Sequence, residues 1–189
     1  TGTAQQRYFE EVITRVRGMP EVLVAGAVSQ TPLQGGGTNT FRVEGQPEPP
    51  ASSRHEATMR GVAGDYFAAM GISVHEGRAF NADDDSESPP VIMVSSAIAR
   101  RLFSDGRAVG SPVRFYAFPE SAWTIIGVVG DVKTASLDAP APPTSYYTHL
   151  QAAENRMSIV ARARTGTDPT VLVGAMRAAA NGVDPTMPR

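Results

Sequence analysis

The 189-residue chain contains no cysteine. That excludes disulfides, thiolate nucleophiles and cysteine-ligated metal sites. It also fits an oxidising compartment, where a stray thiol is a liability. Lysine is nearly missing too: Lys133 is the only one, and arginine supplies the rest of the positive charge. The arginines form no block and the formal net charge is -2, so there is no basic footprint and nucleic acid is not an expected partner. Long apolar runs are absent as well. The densest, Ile125-Ile126-Gly127-Val128-Val129, is of strand length and far short of the roughly 20 residues a membrane-crossing helix needs. The chain opens on Thr1-Gly2 without methionine or a basic-then-apolar leader, so it reads as a piece of a longer protein with any membrane anchor outside it.

What is present is ordinary globular material. A hydrophobic fraction of 41% and a charged fraction of 19% suffice for a real core, in one domain or two small ones.

Chemistry-bearing groups are few. Asp83, Asp84 and Asp85, with Asn81 and Glu87 nearby, offer oxygens at alternating positions of the kind that surround calcium. The run lacks the glycine and distal glutamate of an EF-hand loop, and a solvated acidic loop is the favoured reading. His55, His75 and His149 lie too far apart for short metal-ligand spacing. Gly35-Gly36-Gly37 is followed by Thr38-Asn39 and a strand, whereas a phosphate loop needs Gly-Lys-Ser/Thr running into a helix. Gly127 and Gly130 have the wrong spacing for a dinucleotide fingerprint. Ser29, Ser95 and Ser96 have no nucleophile-elbow context; Ser95 or Ser96 is expected to cap a helix, and Asp131 to form a turn. No catalytic, cofactor-binding or metal residue is assigned.

Periodicity lays out the elements. Tyr8, Phe9, Val12, Ile13 and Val16 share one face of a helix over 4–17, closed by Gly18-Met19-Pro20. Strands are expected at 22–28, 41–44, 56–62, 72–76, 91–94, 113–117, 122–129 and 159–163. Short helices are expected at 64–70, stopped by Gly71, and from Ser95 or Ser96 through Phe103. Asp168-Pro169 predicts the start of a last helix, running to about Asn181. Tyr66, Phe67 and Met70 read as core rather than as an exposed hot spot, and Asp65 with Arg78 as an internal ion pair.

Proline-rich segments at Pro47, Pro49 and Pro50 and at Pro140, Pro142 and Pro143 mark two crossings. They divide the chain into a unit built from both ends (1–50 plus 144–189) and an inserted unit (51–143). The fold class is α+β.

Several segments, in order, carry a family resemblance. They are Met19-Pro20-Glu21-Val22; the Thr31-Pro32-Leu33-Gln34-Gly35-Gly36 loop; Tyr66-Phe67 with Met70-Gly71-Ile72; and Gly77-Arg78 with Phe80. Then come 91–103, Val109-Gly110, 126–132 and a closing Asp184-Pro185 with Pro188. As a set they resemble the extracytoplasmic core domain of MacB-type, FtsX-like ABC-transporter permeases. Ser95-Ser96 departs from the Asn-Glu common in that family, and a glycine precedes Pro20 where the family often has it after.

The resemblance implies a porter-like α/β subdomain next to the membrane, formed by both chain ends, with a second mixed α/β subdomain inserted. It implies a periplasmic location and no catalytic residue or cofactor. It also implies a role in relaying conformational change from a cytoplasmic ABC ATPase, with the rest of the permease, a second permease copy or a periplasmic protein as partners. The six prolines are the expected hinge or partner-facing positions. A small-molecule or lipid-binding module using the cleft between subdomains is the alternative, and a metal hydrolase built on 83–87 with His75 is a distant third.

Overall fold

A computed structural model of the chain describes residues 2–32, 37–103, 106–133 and 140–183. The expectations at Leu33 to Gly36, at Asp138 and at the closing Asp184 to Pro188 lie outside the described residues. Helix α1 spans Gly2–Arg17, followed by strands β1 (Val22–Val28) and β2 (Thr38–Val43). A 3₁₀ turn at Ala51–Ser53 leads to β3 (His55–Gly64), α2 (Tyr66–Met70) and β4 (Val74–Gly77). Then come β5 (Val91–Ser95), α3 (Ser96–Leu102), β6 (Pro112–Phe115), β7 (Ala122–Val129), β8 (Thr144–Thr148), β9 (Ser158–Ala163) and α4 (Thr170–Val183).

Six strands close a hydrogen-bonded ring in the order β2, β6, β7, β5, β8, β3, with β3 pairing back to β2. The N-terminal half of β3 makes that closure through Thr38↔Thr58 to Phe41↔His55. Its C-terminal half pairs instead with β1, through Gly26↔Gly64 to Val28↔Val62. On its other edge β3 runs parallel to β8. Strand β9 pairs antiparallel with β1, Val22 opposite Ala163. One strand therefore belongs to both the ring and the sheet formed by the chain ends.

Period-two alternation fills the ring. Phe41 and Val43, Val113 and Phe115, and Trp123 and Ile125 are i, i+2 pairs on one face, and all join a buried cluster with Ile92, Val94, Ile98 and Phe103. Phe115 and Ile125 are fully buried, each contributing about 1.5–3 kcal/mol on transfer from water. A second core lies under the chain ends, where Val12 and Val16 of α1 and Leu172 of α4 meet Val22 and Ala25, with Ile159 and Ala161 packed alongside. On the opposite face of β1 and β9, α2 sits with Tyr66 and Phe67 buried against Val28, Val62, Tyr146 and Val160. The expected core role of these aromatics holds, while Met70 is 37% exposed. Gly71 ends α2 at φ 71°, the left-handed cap read from its sequence.

Three local expectations are corrected. Strand β8 has no counterpart among the expected strands; it follows a proline-rich stretch and is five residues long, yet it joins β3 to β5. Asp65 pairs with Arg17 at 2.6 Å, and Arg78 with Asp84 at 2.6 Å, rather than with each other. Ser95 makes no side-chain cap to α3; its Oγ accepts from Thr144 N–H at 3.0 Å. Ser96 Oγ donates to the Val129 carbonyl at 3.0 Å.

Candidate functional site

The residues singled out in the sequence scatter over the molecule. In the acidic loop, Asp84 is buried and receives both guanidinium nitrogens of Arg78, at 2.6 and 2.7 Å, and the backbone N–H of Asn81 at 2.9 Å. Those contacts hold its carboxyl below the usual range, the Arg78 hydrogen bonds first. Asp85 Oδ1 accepts the backbone N–H groups of Glu87 and Ser88. The loop is thus tied to its own chain, and among the described residues no three His, Asp or Glu side chains converge as metal ligands.

The histidines are equally separate. His75 is exposed and its Nδ1 lies 3.1 Å from Ser96 Oγ. His55 stands beside Phe41, with its pKa lowered by burial and then by Arg101. His149 is fully buried, edge-on to the Phe9 ring at 5.4 Å. Its Nδ1 accepts the Glu154 N–H at 2.9 Å, and burial pushes its pKa below the usual histidine value, opposed in part by the Gln5 backbone.

The two proline segments converge on one end of the ring. Pro47, Pro49 and Pro50 connect the paired strands β2 and β3. This connection is held by Glu48, which binds Arg42, Arg54 at 3.7 Å and the Tyr116 hydroxyl at 3.1 Å. The Arg54 guanidinium also lies 3.7 Å from the Tyr116 ring centroid. Pro140, Pro142 and Pro143 lead into β8, and the Pro143 carbonyl accepts the Thr58 N–H at 2.9 Å. Pro47, Pro50 and Pro140 are exposed, the other three half-buried.

The opposite end of the ring holds a concavity. β5 and β7 start there, β6 and β8 finish there, and β2 begins there. A cavity of about 440 Å³ is lined by Met59, Phe118, Trp123 and Tyr147 with the polar Asn39, Asp85 and Gln151 among its rim. Gln151 is fixed: its Oε1 accepts from Val91 N–H at 3.0 Å, and its Nε2 donates to Ser88 Oγ and the Pro89 carbonyl. Tyr147 donates its hydroxyl to Glu154 Oε1; burial, then that bond, pushes its pKa up. Sequence reasoning missed this site because its lining comes from strand ends distributed over more than a hundred residues.

Comparisons with known proteins agree with the fold. A family model described as the MacB-like periplasmic core domain matches residues 2–179. The macrolide export ATP-binding/permease protein MacB of Chromobacterium violaceum is 36% identical over 73 residues, 39% of this chain and 11% of that protein. The MacB of Neisseria gonorrhoeae is 29% identical over 102 residues, 53% of this chain and 14% of that one. The chain thus spans only a small part of the curated relatives it matches. The solved periplasmic region of MacB from Actinobacillus actinomycetemcomitans aligns with a TM-score of 0.63 at 14% identity, covering 93% of this chain and 74% of that one. The extracellular domain of the transporter YknZ from Gram-positive bacteria aligns at 0.57 and 16%, covering 93% and 81%. At these identities the structural likeness is one of fold.

Proposed function

The chain belongs to the MacB-like periplasmic core domain family, and from that membership we propose that it is a non-enzymatic relay between the membrane part of an ABC-transporter permease and its extracytoplasmic partners. It would work with the rest of the permease and an ABC ATPase, and with a second permease copy or a periplasmic protein. The observation that carries this reading is the shared strand β3. Displacement of α1 and α4 passes through β1 into the C-terminal half of β3, and β3 continues without a break into the ring. A hydrogen-bonded strand transmits tension where a flexible linker would absorb it.

The two-unit division is proposed with β2 and β8 counted in the ring, since they pair with β6 and β5. The six prolines lie at the far end of β3 from β1, the position suited to meeting a partner. Cross-linking Gln5→Cys to Asn155→Cys in the intact transporter tests the relay. These side chains touch in the native fold; these 189 residues contain no cysteine, and any thiol elsewhere in the transporter is replaced first. Loss of transport with nucleotide binding retained supports the relay; unimpaired transport overturns it.

A second reading, a small-molecule or lipid-binding module, is supported by the cavity at the ring mouth. That cavity opens at the ring end rather than in a cleft between the two units.

A further inference from the structure

We propose that the ring-mouth cavity binds a small lipophilic cation. This rests on the ligand-binding reading and adds the chemical class. The volume, about 440 Å³, falls in the range of small-molecule sites, which are apolar pockets with a few placed polar groups. Met59, Phe118, Trp123 and Tyr147 supply the apolar lining. Phe118 is 50% exposed, which leaves its ring accessible to a ligand entering the cavity.

The charge is one-sided. Asp85 is the only ionised side chain among the described lining residues. Its Oδ1 is engaged by two backbone N–H groups, which fix the carboxylate at the rim. A second carboxylate, Glu154, stands behind Tyr147 as the acceptor of its hydroxyl. An anion entering here meets negative charge with no cation among the described lining residues to offset it. A cation meets the exposed carboxylate of Asp85 with the aromatic rings of Trp123 and Tyr147 in the same lining, the pairing of charge and aromatic surface that favours cations. Gln151, locked by three hydrogen bonds, keeps its part of the rim preformed.

Tetraphenylphosphonium and tetraphenylborate, alike in size and opposite in charge, are the probes. Each is titrated into the intact domain by calorimetry. Emission of Trp123, the chain's single tryptophan, provides a local readout. The cation is expected to bind at least about tenfold more tightly than the anion and to shift the emission. Asp85→Asn keeps the Oδ1 acceptor and is expected to remove most of that preference. Phe118→Ala, at an exposed position, is expected to weaken binding severalfold. Equal binding of both ions, or tighter binding of the anion, overturns the cation preference and leaves the ligand-binding reading standing. Binding of neither ion, or binding that leaves Trp123 emission unchanged, overturns both for this cavity.

Discussion

Asp131 accepts the backbone N–H of Ala97 at 2.7 Å, so the first turn of α3 is capped from just beyond the end of β7. The other carboxylate oxygen takes Arg100 at 2.7 Å. One side chain thereby satisfies an orphan N–H, complements the helix dipole and fastens α3 to the ring. Asp131→Ala is expected to lower stability by about 1–2 kcal/mol, measured by urea unfolding, whereas Asp131→Asn keeps most of it. No measurable loss in Asp131→Ala would show that this cap contributes nothing to stability.

The Arg78–Asp84 pair sets an acid limit. The carboxyl of Asp84 is held below its ordinary value in the fold and returns to about 4 in the unfolded chain. Its stabilisation is therefore complete above pH 4 and lost as pH falls through the lower folded value. Asp84→Asn is expected to cost about 1.5–3 kcal/mol at pH 7 and to flatten the stability profile below pH 4. An unchanged acid profile in that variant would show the pair to be idle.

His149 acts in a milder range. Its folded pKa is depressed by burial, so the unfolded chain takes up the proton first. Its contribution is complete above about 6.5 and declines as pH falls below that value, by at most about 1.4 kcal/mol per unit. His55 is shifted the same way and adds to the same window. His149→Asn, whose oxygen can still accept the Glu154 N–H, is expected to reduce the slope of melting temperature against pH between 7.5 and 5.5 without abolishing it. A slope identical to that of the parent protein would exclude His149 as a contributor.

Gly26 is where β1 is pressed onto the turn between β3 and α2. A Cβ there would lie 2.4 Å from the Tyr66 nitrogen and 2.7 Å from the Ala63 oxygen, both backbone atoms. Gly26→Ala is expected to destabilise by about 1–3 kcal/mol and to loosen α2, read as weaker hydrogen-exchange protection at Ala69, Gly71 and Ile72, whose N–H groups bond the Asp65, Ala68 and Phe67 carbonyls. Unchanged protection would mean that the turn yields without cost.

Much of the local structure was legible from spacing. Val12, Ile13 and Val16 announce the face of α1, and Trp123 to Val129 announces β7, because a single face of either element meets a single core. Gly71 announces the end of α2 because its left-handed backbone is intrinsic to glycine. The family was legible too, from ordered segments spread over nearly the whole chain. Strand β8 was hidden: Thr144, Ser145 and Thr148 are buried, because the strand is covered on both faces and shows no polar alternation. Its partners, near residues 60 and 93, are set by topology. The same holds for Asp131 and Ala97, and for the ring mouth, where Met59, Trp123 and Tyr147 become neighbours only once the ring has closed.

Because Val22 pairs with Ala163 while every strand of the ring lies between residues 38 and 148, the two parts are expected to differ in folding order. Closing β1 onto β9 spans most of the chain, and its entropic cost is met before any contact repays it. The ring can assemble first and act as the template on which β3 later receives β1 and then β9. Pulsed hydrogen exchange during refolding would show protection of β5 and β7 ahead of β9; simultaneous protection would mean that the strand shared in space is also shared in time.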